Sequence, residues 1–279
     1  MGAGTGDTSF AVLGSSNESE AKPGGRSLLD FLKTLISSFQ DFLFLAGRSF
    51  RNVIKRPHYY DDVFLQMDII GVGSLPIVIL IGAFSGAIIA LQMARALSTY
   101  GATSQVGTIV SITLVRELGP VLSAVMVAGR NASGIASELG SMKVTEQIDA
   151  MRALGTDPIQ KLVTPRLIAT TLMLPCLTVV ADVIGLIGAY LISVPLLKII
   201  TGDEYWSSSW HALVLNDLAQ GLLKPLIFGM IISLVGCFYG LRTTGGTQGV
   251  GRAVTEAVVS AMVWIFVVTL LVDEVFVGL

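Results

Sequence analysis

Charge is what this sequence has least of. Asp, Glu, Lys and Arg make up 14% of its 279 residues, against roughly 25% in a soluble domain. A soluble protein of this size needs charged side chains over its surface, and eighteen basic and twenty acidic residues spread evenly leave large apolar patches in water. With 52% of the residues apolar, intrinsic disorder is excluded for most of the chain. A net charge of −2 argues against a nucleic-acid partner. Cysteine is scarce too: Cys176 and Cys237 both lie in apolar stretches, where a small buried thiol is the ordinary reading, and no disulfide framework can be built. The two histidines, His58 and His211, are far apart, so no metal-ligand set is expected. There is no H-E-x-x-H and no G-x-S-x-G. The glycine-rich run Gly245–Gly251 fails as a phosphate loop, because Gly251 is followed by Arg252-Ala253 rather than Lys-Ser/Thr and no apolar strand precedes it. It reads as a flexible turn. No enzyme chemistry is expected of this chain.

What is present is long uncharged runs. Residues 74–94 carry no charge, and as a helix they span about 31 Å, close to the ~30 Å hydrocarbon core of a bilayer. Residues 118–129, 225–241 and 257–272 are also free of charge, and 167–197 carry only Asp182. The fold class expected is an all-α integral membrane protein with five crossings, at about 74–95, 107–137, 165–195, 221–241 and 254–274. Gly82 and Gly86, and the series Gly185, Gly188, Ala189, are small residues at spacings that let helix backbones approach in lipid.

The basic residues set the topology. Residues 22–56 hold seven, the segment after the second crossing four (Lys143, Arg152, Lys161, Arg166), and the one after the fourth two (Arg242, Arg252). These thirteen fall on one side. Arg95, Lys198 and Lys224 are assigned to the other, and Arg116 and Arg130 to the second crossing. The excess of positive charge predicts a cytoplasmic N-terminus and an outward C-terminus.

The chain divides into a polar Gly/Ser-rich tail, 1–26, interfacial amphipathic helices over 27–73, and the five-helix domain 74–279. In the interfacial segment Leu28, Phe31, Leu35, Phe39, Phe42, Leu43, Ala46 and Phe50 recur at helical spacing, with Lys33, Asp41, Arg48 and Arg51 on other faces. A helix lying on the cytoplasmic leaflet fits this pattern, and a sixth crossing competes with it.

Three features carry functional information. Arg116, Glu117, Arg130 and Asp182 are ionisable groups inside the spans, where charge is costly and marks a cavity or a partner. Sequence neighbours on a helix diverge by about 100°, so Arg116 and Glu117 are expected to face different spots. Arg130 and Asp182 can pair with each other. The segment 138–166 contains a short amphipathic helix at about 145–155, with Thr145 as N-cap, Glu146 and Asp149 in its first turn, Val144, Ile148, Met151 and Leu154 as its apolar stripe, and Gly155 as its left-handed cap. Such a helix lies on lipid or docks in a partner's groove. The outer loop, about 198–220, carries an aromatic cluster of Tyr205, Trp206 and Trp210 suited to a membrane–water boundary.

The stretches Arg116-Glu117-Leu118-Gly119-Pro120, Ala128-Gly129-Arg130, Thr145-Glu146-Gln147-Ile148-Asp149-Ala150-Met151, Asp157-Pro158 and Thr164-Pro165-Arg166 occur in this order and resemble the MlaE (YrbE-type) ABC-transporter permease family. The resemblance runs from about residue 27 to the C-terminus. It implies a homodimer in the inner membrane of a bacterium, with a plastid inner envelope as the alternative. It also implies two copies of a cytoplasmic ATPase, which bind the ATP and magnesium, so that this chain needs no cofactor of its own. An MCE-domain lipid-binding ring on the outer side and a phospholipid substrate, moved to maintain outer-membrane lipid asymmetry, complete the system. The family's coupling helix corresponds to Thr145, Glu146, Ile148, Asp149, Met151, Arg152 and Leu154. Its lipid site corresponds to Ile89, Ala96, Leu97, Tyr100, Glu117 and Leu118. The alternative function is an ion- or proton-coupled secondary transporter using Glu117 and Asp182, although no internal repeat of spans is evident.

Overall fold

The computed structural model describes residues 28–54 and 59–277. The polar tail 1–26 lies outside the described residues. Among these residues there is no strand, and the helices are α1 (Leu28–Ile54), α2 (Tyr60–Thr99), α3 (Thr103–Val144), α4 (Gln147–Ala153), α5 (Ile159–Leu196), α6 (Gly202–Ala212), α7 (Leu215–Leu241) and α8 (Gly246–Val277). Five of them, α2, α3, α5, α7 and α8, are long and apolar enough to cross a membrane.

Contacts divide the chain into two units, Met1–Asp41 and Phe42–Leu279. In the first, the described part of α1 exposes Ile36 and Phe39. In the second, the rest of α1 buries Leu45, Ser49 and Asn52, exposes Leu43, Phe44 and Phe50, and sets Phe42 edge-on against Phe238 of α7 at 5.6 Å between ring centroids.

Each crossing is longer than its uncharged run. Against the spans expected, the largest difference is in α2, where residues 59–70 were expected to form a second amphipathic piece leading into the first crossing and instead, from Tyr60 on, continue it as one helix of 40 residues. At 1.5 Å per residue this helix is about 60 Å long, twice the hydrocarbon thickness. Its polar start with Asp61 and Asp62 masked the continuity, because acids in a first turn complement the helix dipole rather than end the helix. The glycine-rich run likewise differs from the flexible turn expected: Gly245 and Gly246 take positive φ (87° and 67°), and from Gly246 onward the chain is already α8.

The core is drawn from all five crossings. Val78 of α2, Ala124 and Val127 of α3, Leu174 and Leu177 of α5, Phe228 and Ile232 of α7, and Ile265 of α8 pack as one buried cluster. The α2–α5 contact is a backbone approach. A Cβ on Gly82 would sit 2.6 Å from the Ala181 carbonyl oxygen, and one on Gly86 would overlap the carbonyl of Gly185. Lipid offers no hydrophobic drive between helices, so close packing of small residues replaces it. Outward, Phe84 and Ile88 of α2, Leu172, Val183 and Leu191 of α5, and Phe266, Leu270 and Leu271 of α8 are exposed, as lipid-facing side chains are.

On the loop side between α5 and α7, Thr201 caps α6 by accepting from the Glu204 N–H. The aromatic cluster is not uniformly outward. Tyr205 is fully buried, packs edge-on against Tyr190 and Trp206, and donates to the Leu186 carbonyl at 3.0 Å, and burial pushes its hydroxyl up to about 12. Trp210 is the outward member, 77% exposed.

Candidate functional site

Pro120 shapes the site. Its ring removes an N–H and crowds the carbonyl four residues back, which is that of Arg116. The helix answers with a wide π-type turn over Leu114–Leu118, closed by the Gly119 N–H donating to the Leu114 carbonyl. The Arg116 carbonyl is thereby released, and Lys224 of α7 reaches across to donate to it at 3.0 Å.

Lys224 is the centre of a charged cluster. Its side chain is completely buried. Its Nζ lies 2.6 Å from Glu117 Oε2 and 2.5 Å from Asp273 Oδ1 of α8. Arg116 flanks the group, with Nε 3.5 Å from Glu117 Oε1 and Nη1 3.9 Å from Asp217 Oδ1. Gln220 donates to Asp273 Oδ1 at 3.4 Å, and Asp217 also accepts from the Val214 N–H at the start of α7. The second, fourth and fifth crossings are therefore cross-linked by ionic hydrogen bonds, which are stronger than neutral ones where water is scarce. Close approach is secured by Gly221, where a Cβ would come within 2.6 Å of the Val115 carbonyl oxygen.

This arrangement corrects two sequence-based expectations. Arg116 and Glu117 were expected to diverge, yet they meet in one cluster, because their side chains are long and the wide turn alters the 100° step. Lys224 was counted among the basic residues of the outer side rather than among the charges inside the spans, yet its side chain is buried between α3, α7 and α8. Neither Lys224 nor Asp273 was singled out, although each interrupts or ends an apolar run and so carried the same signal as Asp182.

A third expectation also fails. Arg130 and Asp182 do not pair. The exposed Arg130 donates to Ser74 Oγ at 3.1 Å and to the Ile69 carbonyl at 3.5 Å, with its guanidinium over Gly73. Asp182 is buried on α5 against Gly119, where its Oδ1 has no hydrogen-bond partner. Gly119 leaves the room this carboxyl occupies, since a Cβ there would overlap it.

The residues expected at a lipid site separate into two groups. Ile89 lies in a buried apolar cluster with Ala90, Val106, Val110, Leu114, Ala189, Ile200 and Tyr205, and Leu97 and Leu118 pack against it. Ala96 and Tyr100 are exposed, Tyr100 by 84%. Glu117 belongs to the charged cluster. Two consecutive residues at the wide turn, Glu117 and Leu118, thus bring a charged and an apolar region side by side.

At the other end of α3, α4 is shorter than the 145–155 expected and its N-cap is not Thr145. Thr145 Oγ1 donates back to the Ser141 carbonyl at 2.9 Å and so finishes α3, while Glu146 takes φ 59° and turns the chain. Thr145 is the residue that closes α3, and the position before α4 belongs to Glu146. Asp149 accepts from Lys143 at 2.8 Å and from Arg152 at 3.0 Å. The Lys143 hydrogen bond holds its carboxyl below the usual range. Gly155, at φ 78°, ends α4 as expected, with the Thr156 N–H donating to the Met151 carbonyl at 3.0 Å. Ile148 is fully buried and anchors α4, Met151 is half-buried, and Leu154 is 83% exposed.

Among the described residues no three His, Cys, Asp or Glu side chains are grouped to hold a metal ion. Comparison with known proteins agrees with the architecture. The family model described as Permease MlaE matches residues 63–275. A probable ABC transporter permease protein of Rickettsia felis is 41% identical over 252 residues, covering 90% of this chain and 95% of that protein. A probable ABC transporter permease protein of Synechocystis sp. is 40% identical over 241 residues, 86% of this chain and 90% of its own length. The chloroplastic protein TRIGALACTOSYLDIACYLGLYCEROL 1 of Arabidopsis thaliana is 35% identical over 232 residues, 83% of this chain and 66% of its own length. The chain is a multi-pass membrane protein that belongs to the MlaE permease family.

Proposed function

We propose that this chain is the membrane-spanning subunit of an ATP-driven transporter that moves phospholipid between the inner membrane and an MCE-type periplasmic carrier, maintaining outer-membrane lipid asymmetry. It works as a homodimer, with its N-terminus cytoplasmic and C-terminus periplasmic, and ATP and magnesium are bound by a partner ATPase. The observation that carries the reading is the juxtaposition at the wide turn of α3. A phospholipid needs an apolar surface for its chains and a few convergent polar groups for its head. Leu118 joins the apolar cluster with Ile89 and Leu97, and Glu117 joins the charged cluster.

Glu117→Lys tests this assignment. It sets a second ammonium beside Lys224 and inverts the charge at the head-group position. Phospholipid movement in proteoliposomes is expected to fall by about tenfold or more, an increase of about 1.4 kcal/mol or more in the transport barrier. Because the Lys224 cluster loses its pair, the yield of folded chain is expected to fall, while recovery of the ATPase per folded chain stays at the wild-type level, since α4 is untouched. Wild-type transport in this variant removes Glu117 from the lipid path.

The ATPase docks on α4 through Leu154 and Met151, with Arg152 and Asp149 at the rim, while Thr145, Glu146 and Ile148 hold the helix in place. Burying an exposed leucine contributes about 1.5–3 kcal/mol. Leu154→Asp is therefore expected to lower ATPase recovery about tenfold or more in a pull-down from detergent, with the permease yield unchanged. Unchanged recovery counts against this surface.

The competing carrier reading needs Glu117 and Asp182 in one ion path. Glu117 is paired with Lys224, whereas Asp182 faces Gly119.

A further inference from the structure

Two ties converge just after α4. Asp157 lies beyond the Gly155 cap, and its Oδ2 accepts from Arg48 Nη2 at 3.3 Å and from Asn52 Nδ2 at 3.4 Å, both on α1. Its Oδ1 accepts from the Ile159 N–H at 3.0 Å and fixes the start of α5. One turn later Lys161 meets Asp62, in the first turn of α2, with Nζ 2.5 Å from Oδ2, and it lies 4.3 Å over the Tyr59 ring. Arg48 and Asp157 retain 21% and 27% side-chain exposure, and Lys161 and Asp62 37% and 35%.

We propose that Asp157 and Lys161 are positioning residues that pass displacement of α4 to α1 and to the first turn of α2, so that one event at α4 moves two elements besides its own neighbours. The assignment rests on the reading of α4 as the ATPase-docking helix. The path is short and ordered. The Thr156 N–H closes back on Met151, so no slack separates α4 from Asp157. The carboxylate then grips α1 and α5 at the same time, while Lys161 grips α2. Half-exposed ion pairs contribute little to stability. These four side chains are therefore expected to matter for relayed motion more than for holding the fold. Asp157 and Lys161 act through the helices they hold.

The test uses the full chain purified with its ATPase and reconstituted with phospholipid vesicles. Lys161→Glu and Asp62→Lys each place like charges together, and the double variant restores an opposite-charge pair. Each single variant is expected to keep wild-type ATPase recovery and to move about fivefold less phospholipid per ATP hydrolysed, the factor corresponding to about 1 kcal/mol. The double variant is expected to return to within about twofold of wild type. A merely structural pair would change yield and thermal stability, not the ratio of lipid moved to ATP consumed. Single variants with wild-type coupling, or a double variant no better than the worse single one, overturn the proposal. Hydrogen exchange on the unmutated complex supplies a second arm. Trapping the ATPase with vanadate is expected to change exchange in 147–157, in 48–54 and in 60–65 together, and a change confined to 147–157 overturns the relay. If the wild-type chain recruits no ATPase, the reading of α4 fails and this inference fails with it. If wild type couples and the variants match it, only this inference fails.

Discussion

Lys224→Ala is expected to destabilise the protein by about 2–4 kcal/mol, less than the loss of one partner from a fully buried ion pair, because Lys224 is completely buried while Glu117 and Asp273 remain 35% and 27% exposed. The loss has three physical parts. Glu117 and Asp273, both held within hydrogen-bonding distance of the same ammonium, lose their common counter-charge and repel each other. The Arg116 carbonyl, freed by Pro120, loses the donor that satisfies it, and an unsatisfied buried acceptor costs about 1–3 kcal/mol by itself. The methylene stem of Lys224 leaves a void among α3, α7 and α8. The measurement is the midpoint of thermal unfolding in detergent for wild type, Lys224→Ala, and a triple variant Lys224→Met, Glu117→Gln, Asp273→Asn. The triple variant removes every charge of the pair set and keeps the volume, so it is expected to recover most of the stability. If Lys224→Ala unfolds like wild type, the cluster is not a structural cross-link.

Gly86→Val carries the second largest effect. The missing Cβ is the reason α2 and α5 touch backbone to backbone at Gly185, and a branched side chain there has no free space to enter. Overpacking of a close-packed site costs about 1–3 kcal/mol, and backbone atoms on the opposing side place this one at the upper end. Gly134 is the control, since nothing lies within 4 Å of a Cβ built there. Gly134→Ala is expected to be neutral or to stabilise α3 by up to about 1 kcal/mol through helix propensity. Equal losses in the two variants would mean that the α2–α5 approach is not what Gly86 serves.

The sequence revealed the five crossings because stretches such as 225–241 and 257–272 carry no charge at all. It did not reveal where they end. Residues 60–73 read as part of the interfacial segment, but they lie on the same 40-residue helix as the first crossing, and Gly246-Thr247-Gln248 read as a turn although they begin α8. The small residues at Gly82, Gly86 and Gly185 were legible as a packing seam, since their spacing alone implies it. The charged cluster was only half legible. Glu117 stood out as an intramembrane charge, but its partner Lys224 is 107 positions away and Asp273 belongs to a third helix. Opposite charge suggested Arg130 with Asp182. The structure gives Arg130 the Ser74 hydroxyl and leaves Asp182 against Gly119, because pairing follows helix azimuth and not charge alone. For α4, the cap at Gly155 was readable from residue type, whereas the left-handed turn at Glu146 was not, since few non-glycine residues adopt it.

The phospholipid movement proposed for this chain takes its energy from a separate ATPase. Its most direct test is transfer of a fluorescent phospholipid in proteoliposomes containing the chain and its copurified ATPase. The account predicts transfer that requires ATP, stops when the ATPase phosphate loop is mutated, and continues when the proton gradient is collapsed. Transfer by the chain alone, driven by an ion or proton gradient and indifferent to ATP, would contradict it.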